Sequence, residues 1–308
     1  MNSRKKGIIM DRAPDQEARL QRTPKEPAMD GTAIPNPPLT QAVLITGASY
    51  GLGYELAQCF AADRHALILV ARSGERLDAV ASELRAAHGI AVDTIAMDLA
   101  RPEAARELFA EVQRRGHAVE TLVNNAGFGT YGRFSDIDFD AETRQMQLNM
   151  LTPTQLTKLF LPGMLAQRRG QVVNMASMAG YTPGPYMAIY FASKAYLLSF
   201  SEAIAEELRG SGVSVTAVCP NVVETRFQEA AQNQAAYIGG RFRPLMADAR
   251  TTARQAYALI KARRIVAIPG WTNRLAVAGL RLIPRALLRR AMVPFQKGPD
   301  IADYPKGS

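Results

Sequence analysis

The chain has 308 residues, of which 47% are hydrophobic, so it is long enough for one large globular domain with extensions, or for two smaller domains. Its two cysteines exclude a disulfide framework and indicate a reducing cytoplasm. The net charge of +9 is concentrated at one end, where residues 251–308 carry 11 Lys and Arg against two Asp. One basic end, unlike a uniformly basic chain, indicates an acidic partner or a membrane surface and not a nucleic acid.

The first segment of the chain, residues 1–40, is predicted to be a disordered arm. It is polar and contains six prolines, five of them between Pro24 and Pro38. Such a composition cannot bury enough apolar surface to offset the loss of chain entropy on folding. The opening run MNSRKKGIIMDRAPDQEARL lacks the apolar core of a secretory signal. No stretch approaches the ~18 consecutive apolar residues of a membrane span.

From residue 41 onward, short apolar runs alternate with helix-length amphipathic segments. The strand-like runs are AVLITG (42–47), ALILVA (66–71), AVDTIAMDL (91–99), TLVNNAG (121–127), QVVNMAS (171–177), VSVTAVCP (213–220) and IVAIPG (265–270). Continuous apolar strands separated by helices predict an α/β fold with a doubly wound, Rossmann-type parallel sheet covered on both faces. Such sheets bind ligands at the carboxyl ends of their strands.

A glycine-rich loop, TGASYGLG (residues 46–53), follows the first strand and opens a helix. Glycines let the backbone approach a pyrophosphate, and a helix N-terminus offers free N–H groups and a positive dipole. A plain turn is the alternative interpretation, although turns rarely need three glycines in seven residues. The predicted cofactor-binding residues of the loop are Gly47, Ser49, Tyr50, Gly51, Leu52 and Gly53.

The end of the second strand indicates which nucleotide binds. An NAD site usually has an acidic residue there, which holds the ribose 2′-hydroxyl. Arg72 occupies that place in this chain. Because a guanidinium group matches phosphate geometry, the 2′-phosphate of NADP(H) is favoured, with Ser49 as a second donor. The alternative is that Arg72 points into water at the edge of the sheet.

Tyr190 and Lys194 lie one helical turn apart in IYFASKAYLLSF, so both side chains leave the same face of a helix. A phenol with a pKa near 10 is a poor acid–base catalyst at neutral pH, and a nearby ammonium group lowers that pKa. Ser177 lies 13 residues upstream of Tyr190, where a predicted strand ends. Together with the glycine-rich loop, these residues predict nucleotide-dependent chemistry on a carbonyl or an alcohol.

These segments resemble the short-chain dehydrogenase/reductase family over about residues 41–243. The matching motifs are TGASYGLG, MDL (97–99), NNAG (124–127), QLNM with Asn149, VVNMAS with Ser177, YFASK and CPNVVET (219–225). The resemblance implies that Tyr190 is the general acid of carbonyl reduction and that Ser177 binds the substrate oxygen. It also implies that Lys194 lowers the pKa of Tyr190 and holds the nicotinamide ribose, while Asn149 holds a water of a proton relay.

The resemblance also implies the remaining cofactor contacts. Asp98 would contact the adenine ring, although on spacing alone it serves equally well as the cap of a following turn. Asn125 and Gly127 would contact the adenosine ribose. Asn221 stands where the family usually has glycine, and we expect the loop to form because Asn tolerates positive φ. The implied cofactor-binding residues beyond the glycine-rich loop are Arg72, Asp98, Leu99, Asn125, Ala126, Gly127, Tyr190, Lys194 and, at the nicotinamide end, Pro220, Val223 and Thr225.

The basic tail resembles the subgroup that contains steroid and long-chain 3-ketoacyl reductases and uncharacterised bacterial reductases. Arg281, Arg285 and Arg289 recur every four residues among apolar side chains, with Pro284 between them. This pattern predicts a basic amphipathic helix or a helix pair. It would pack on the body of the protein or on a second subunit of a homo-oligomer. Alternatively, it would form a pocket lid or a peripheral membrane contact that admits lipophilic substrates.

The sequence therefore predicts three segments: the arm over residues 1–40, a dinucleotide-binding catalytic domain over 41–270 and a basic helical extension over 271–308. The predicted protein is a cytoplasmic NADP(H)-dependent oxidoreductase that interconverts a ketone or aldehyde and an alcohol on a hydrophobic small molecule. Six residues between the predicted serine and tyrosine are expected to line an apolar pocket: Met178, Tyr181, Pro183, Tyr186, Met187 and Ile189.

Two other functions use the same fold. A sugar-nucleotide epimerase or dehydratase usually has another glycine spacing and a larger C-terminal domain than the 83 residues after Thr225. A silent nucleotide-binding sensor is disfavoured because the predicted Tyr, Lys and Ser are all present. No metal site is predicted, since the three histidines stand alone. The tail lacks the interleaved aromatic residues of a nucleic-acid surface.

Overall fold

The computed structural model describes residues 41–223, 248–298 and Ile301. The predicted disordered arm and the predicted cofactor residue Thr225 lie outside these residues. The strands of the described part are β1 (Ala42–Thr46), β2 (Leu67–Ala71), β3 (Val92–Ala96), β4 (Val119–Asn124), β5 (Gly170–Met175), β6 (Val213–Val218) and β7 (Val266–Ala267). They form one parallel sheet in the order β3-β2-β1-β4-β5-β6-β7.

Helices connect the strands. The helices of the described part are α1 (Gly51–Ala62), α2 (Gly74–His88), α3 (Ala104–Arg114), α4 (Phe139–Met146), α5 (Thr152–Ala166), α6 (Ala188–Glu207), α7 (Ala249–Lys261), α8 (Trp271–Leu280) and α9 (Arg285–Gln296). A π-helical turn (Gln147–Leu151) joins α4 to α5, and a 3₁₀ turn (Met178–Tyr181) precedes α6.

The sheet is covered by helices on both faces, which explains why its strands are apolar without alternation. One core packs α1, α2 and α7 on the sheet through side chains such as Leu56, Leu77 and Ile260. The opposite core packs α3 and α5 through Leu108 and Leu156. Each fully buried side chain of this size contributes roughly 1.5–3 kcal/mol to folding. The predicted doubly wound, Rossmann-type α/β fold is confirmed.

The direction of winding reverses between β1 and β4, which are neighbours in the sheet. From β1 the chain continues outward to β2 and β3, whereas from β4 it continues to β5, β6 and β7. A crevice forms at such a reversal, outside the carboxyl ends of the strands. The glycine-rich loop follows β1, and the segments that begin with Asn125, Ser177 and Pro220 lie just beyond β4, β5 and β6. The fold therefore brings the predicted site segments to one edge.

Candidate active site

A cavity of about 1620 Å³ runs along the carboxyl ends of the strands. It is larger than the ~300–1,000 Å³ of a typical small-molecule pocket, so it has room for a dinucleotide and a second molecule. Gly53 and Asn149 are predicted site residues that do not line it. The predicted residues that do line it are Gly47, Ser49, Tyr50, Gly51, Leu52, Arg72, Asp98, Leu99, Asn125, Ala126, Gly127, Ser177, Tyr190, Lys194, Pro220 and Val223.

The glycines of the loop after β1 are required for different structural reasons. Gly47 and Gly51 have φ values of 67° and 59°, a left-handed conformation that favours glycine. Gly53 is instead needed for close packing, because a Cβ atom there would lie 2.2 Å from the carbonyl oxygen of Gly47. The N-terminus of α1 thus opens directly into the cavity, which is the arrangement that binds a pyrophosphate. Direct contact between Gly53 and the cofactor stays a prediction.

Asn125, directly after β4, forms hydrogen bonds with the glycine-rich loop. Its Nδ2 atom donates to the carbonyl oxygens of Thr46 and Gly47, at 2.9 and 3.1 Å. In return, the Thr46 hydroxyl accepts hydrogen bonds from the backbone N–H groups of Asn125 and Ala126, both at 3.0 Å. Both amide hydrogens of Asn125 are therefore committed to holding the loop, and its ribose contact stays a prediction.

Two arginines lie within four residues of each other after β2. Arg72 follows β2 directly, is exposed and lines the cavity. Arg76 lies in the first turn of α2, where its guanidinium group is 5.0 Å from the ring centre of Tyr50 and its Nε donates to the carbonyl oxygen of Ser49 at 3.3 Å. This cluster fits a 2′-phosphate group, which favours cationic and hydroxyl donors. Sequence reasoning missed Arg76, although its spacing of four from Arg72 was visible.

Asp98 acts as a cap of the turn after β3. Its carboxylate accepts from the backbone N–H of Ala100 at 3.0 Å and from Arg144 at 2.8 Å. Burial would raise the pKa of Asp98, but these hydrogen bonds and the charge of Arg72 outweigh burial and hold the pKa below its usual value. The capping alternative is thus confirmed, while the adenine contact stays a prediction.

The predicted catalytic side chains meet beside the end of β5. Tyr190 and Lys194 lie one turn apart on α6, with the Lys194 Nζ atom 5.6 Å from the centre of the Tyr190 ring. Lys194 is buried, and its Nζ donates to the carbonyl oxygen of Met175 at 2.7 Å. Ser177 caps the 3₁₀ turn by accepting from the backbone N–H of Ala179 at 3.1 Å, and it also hydrogen-bonds Tyr190.

Burial dominates the electrostatics of this cluster. It raises the pKa of the Tyr190 phenol to about 12, and the hydrogen bond with Ser177 offsets only part of that effect. It also lowers the pKa of the Lys194 ammonium group to about 8. Burial of the phenol therefore outweighs the lowering of the pKa that is expected from Lys194, and this role of Lys194 stays a prediction. A protonated phenol at neutral pH is suited to donate a proton.

Asn149 lies in the π-helical turn between α4 and α5, a feature that often marks functional sites. Its Oδ1 accepts from the N–H of Phe128 at 3.2 Å, and its Nδ2 donates to the Phe128 carbonyl at 2.8 Å and to Ser193 at 3.2 Å. The side chain therefore holds the loop after β4 close to α6. Its predicted relay water stays a prediction, and it would have to be held by atoms other than Nδ2.

The C-terminal helix pair forms a wall of the cavity. Helices α8 and α9 are separated at Arg281–Pro284, so the prediction of a helix pair broken at Pro284 is confirmed. We call the two helices the C-terminal cap. Sequence reasoning missed its lining residues, because a helix that faces a cavity has the same apolar pattern as one that packs on a core. These lining residues are Leu280, Met292, Phe295 and Gln296.

The segment between Ser177 and Tyr190 contributes less to the lining than predicted. Met178 and Met187 line the cavity as expected. Tyr181 instead packs against a small core beneath α6, and the guanidinium group of Arg281 lies 5.8 Å from its ring centre. Arg281 therefore does not share a stripe with the arginines of α9. The other predicted residues that are absent from the lining are Pro183, Tyr186 and Ile189.

Asn221 joins the loop after β6 to the C-terminal cap. Its Nδ2 donates to the Oδ1 of Asn273 at 3.2 Å, and Asn273 in turn donates to the carbonyl oxygen of Pro269 at 2.7 Å. The loop forms as expected as far as Val223, with a φ at Asn221 that is not positive. This departure from the family pattern supplies a side-chain contact between the loop after β6, the predicted nicotinamide end of the site, and α8.

The chain matches the family model described as short chain dehydrogenase over residues 41–236. It is 33% identical over 183 residues to the ketoacyl reductase HetN of Nostoc, covering 59% of this chain and 63% of that protein. It is 37% identical over 186 residues to a very-long-chain 3-oxoacyl-CoA reductase of Pyrenophora tritici-repentis, covering 59% and 54%. A solved short-chain dehydrogenase from Sphingobium yanoikuyae, in complex with NADPH, superimposes with a TM-score of 0.71 at 30% identity, covering 85% of this chain and 99% of that one.

With this fold and this arrangement of Ser, Tyr and Lys, the chain belongs to the short-chain dehydrogenase family, an oxidoreductase class. The matched region spans 54 to 63% of the first two curated relatives. The family model covers the dinucleotide-binding part and ends before the C-terminal cap.

Proposed function

We propose that the protein is an NADP(H)-dependent oxidoreductase that interconverts a ketone or aldehyde and the corresponding alcohol, on a lipophilic small molecule. The observation that carries this proposal is the meeting of Ser177, Tyr190 and Lys194 in a cavity that also contains the glycine-rich loop and Arg72. The three side chains can polarise and protonate a carbonyl oxygen. The glycine-rich loop and Arg72 fit the phosphate groups of a dinucleotide.

Each residue has a role in this reaction. When bound, NADPH supplies the hydride that adds to the carbonyl carbon. Tyr190 donates its phenolic proton to the carbonyl oxygen, and Ser177 donates a hydrogen bond to the same oxygen. Lys194 supplies a fixed positive charge behind Tyr190, which stabilises the phenolate that remains after proton transfer. In the direction of alcohol oxidation, the same groups act in reverse.

The lipophilic substrate is inferred from the apolar residues that line the cavity in addition to the predicted cofactor residues. They are Met178 and Met187, and, from the cap, Leu280, Met292 and Phe295. Flexible methionines and aromatic rings bind bulky apolar groups of varied shape. Two relatives are named as reductases of ketoacyl or very-long-chain 3-oxoacyl compounds, which agrees with an extended apolar ketone.

A panel of carbonyl compounds tests the proposed function. NADPH oxidation should be measured with aldehydes, cyclic ketones, steroids, acyl thioesters and, for the epimerase alternative, sugar nucleotides. We expect turnover with at least one apolar ketone class and none with sugar nucleotides. NADPH binding without oxidation by any carbonyl compound would favour the silent sensor.

The pH dependence of reduction should follow Lys194. Burial lowers the pKa of this ammonium group to about 8, so its charge is present below that pH and is lost above it. Tyr190, with its pKa raised to about 12, stays protonated over the same range. We therefore expect kcat/KM for ketone reduction to fall as the pH rises through about 8. A rate that stays constant up to pH ~10, where an ordinary lysine loses its charge, would contradict this assignment.

We also propose a peripheral membrane contact through the C-terminal cap. No helix in the described ranges is long and apolar enough to cross a membrane. The cap nevertheless exposes Trp271, Leu275 and Leu287, with 71, 63 and 59% of their surfaces accessible. Arg285 and Arg289 of α9 are also exposed. Aromatic and aliphatic side chains flanked by arginines are typical of a helix that lies in the interface of an anionic bilayer.

Sedimentation with anionic vesicles tests the membrane contact. Arg285→Gln with Arg289→Gln should reduce binding at low salt, since each arginine near such a surface contributes ~1 kcal/mol. The matched control is Arg106→Gln, an exposed arginine of α3. If the wild-type protein does not bind vesicles at low salt and instead forms dimers that Leu287→Ser disrupts, the membrane contact is contradicted. The exposed surface of the cap is then the interface of the predicted homo-oligomer.

A further inference from the structure

Gln296 is the last residue of α9 and lines the cavity. Only 1% of its surface is accessible, and both its Oε1 and Nε2 atoms are buried without a hydrogen-bond partner among the described residues. A buried amide without partners costs free energy, and such groups are rare in native proteins. A bound ligand that forms hydrogen bonds with these two atoms removes that cost.

The face of α9 that turns inward is otherwise apolar. Leu288, Met292 and Gln296 recur every four residues and therefore share one face of the helix. Leu288 is buried and Met292 lines the cavity, whereas most other residues of α9 are exposed. An amide at the third position of this face is not required for packing, because a leucine or methionine would bury there without an unpaired polar group.

The backbone at Gln296 is held by the loop after β4. The hydroxyl group of Tyr131, in the loop after β4, donates to the carbonyl oxygen of Gln296 at 2.7 Å. The same hydroxyl accepts from the backbone N–H of Gly298 at 2.6 Å. The end of α9 is thereby attached to the body of the protein, so the side chain of Gln296 begins at a fixed backbone position, as a specificity-determining group requires.

We infer that Gln296 recognises a second polar group on the substrate, a secondary amide set apart from the reacting carbonyl on an otherwise apolar chain. A carboxamide side chain offers a donor and an acceptor together. A secondary amide pairs with both, whereas a carboxylate or an ether pairs only with the donor. This inference rests on the proposed carbonyl chemistry and adds to it the polar feature by which the site chooses among apolar ketones.

A series of ligands tests the inference without turnover. The probes are a long-chain methyl ketone and analogues in which one secondary amide is moved stepwise along the chain. Their Kd values should be measured by calorimetry with the NADPH complex of the Tyr190→Phe variant, in which reduction is expected to be slowed by ~10²-fold or more. Because Gln296 occupies one place, we expect binding to be tightest for a single amide position, by about tenfold over the plain ketone, the effect of two neutral hydrogen bonds.

Substitution of Gln296 tests whether this side chain causes the preference for one amide position. Both variants are made in the Tyr190→Phe background. Gln296→Met should bring the Kd values of the plain ketone and the best amide ketone to within about twofold of each other. Gln296→Glu keeps only acceptors, so the ratio of the two Kd values should be intermediate. Gln155→Met is the matched control, since Gln155 on α5 also has a buried, unpartnered Oε1 but does not line the cavity. It should leave the tenfold ratio intact.

The outcomes separate this inference from the proposed function. If all ketones bind with equal Kd, or if the preference survives Gln296→Met, Gln296 is not the recognition group, while carbonyl binding stands. If no ketone binds the NADPH complex, both the proposed function and this inference are overturned. Should Gln296→Met fail to fold, Gln296→Glu decides the matter, since an unchanged tenfold ratio in that variant would overturn the role of Gln296.

Discussion

Replacing Tyr190 with Phe is expected to lower kcat for ketone reduction by ~10²-fold or more, the usual contribution of a positioned general acid. The substitution removes one hydroxyl group and leaves the ring beside Lys194 in place. The Kd for NADPH should therefore change little, because the phenol holds the transferred proton and not the phosphate groups. Steady-state reduction and fluorescence titration of NADPH measure the two quantities on the same preparation.

Tyr196→Phe is the matched control for that experiment. Tyr196 lies on the same helix, and its hydroxyl group pairs with Thr154 at 2.9 Å, away from the cavity lining. It should keep nearly all of the wild-type kcat. Retention of a tenth or more of the activity by Tyr190→Phe would remove Tyr190 from its role as proton donor.

Replacing Arg72 with Ala is expected to weaken NADPH binding by roughly tenfold or more and to leave NADH binding nearly unchanged. A hydrogen bond to a charged group contributes roughly 1.5–3 kcal/mol, and the lower end applies here because Arg72 is exposed to solvent. The two nucleotides differ only at the 2′-phosphate, so the ratio of their Kd values isolates that contact. Arg76 and Ser49 remain in place and retain part of the preference.

Arg106→Ala provides the control for charge alone. This exposed arginine of α3 pairs with Glu103 and does not line the cavity. It should alter neither Kd. Equal losses for both nucleotides in Arg72→Ala, or a wild-type preference for NADH, would reverse the assignment of the cofactor.

The fold could be predicted from the sequence because its signals are local. Strands such as VLIT and LILV are apolar on both faces, which a parallel sheet between two helical layers requires. The ends of those strands carry glycine or polar residues, and parallel winding brings all of these ends to one edge. Most of the strand-like runs extend past the strands that form, and the last one does so furthest in proportion: β7 has two residues instead of six, because Pro269 and the left-handed Gly270 follow.

The parts of the site that escaped prediction depend on tertiary contacts. The pKa of Tyr190 is governed by its burial, which a spacing of four residues from Lys194 does not reveal. The side chain of Asn221 donates to Asn273, which lies 52 positions away, so no local pattern in the sequence indicates that contact. The position of Gln296 at the end of α9 depends on the hydrogen bond that Tyr131 donates to its carbonyl oxygen. Tyr131 lies 165 positions earlier in the chain.

Transfer of deuterium tests the central claim most directly. NADPH labelled with deuterium at C4 of the nicotinamide should be incubated with the best ketone of the panel, and the alcohol should be analysed by mass spectrometry and NMR. The proposed reaction predicts one deuterium on the carbinol carbon for each NADPH consumed, from one face of the labelled ring only. An alcohol without deuterium from NADPH labelled on either face of C4, or NADPH that binds the cavity and is never consumed, would contradict it.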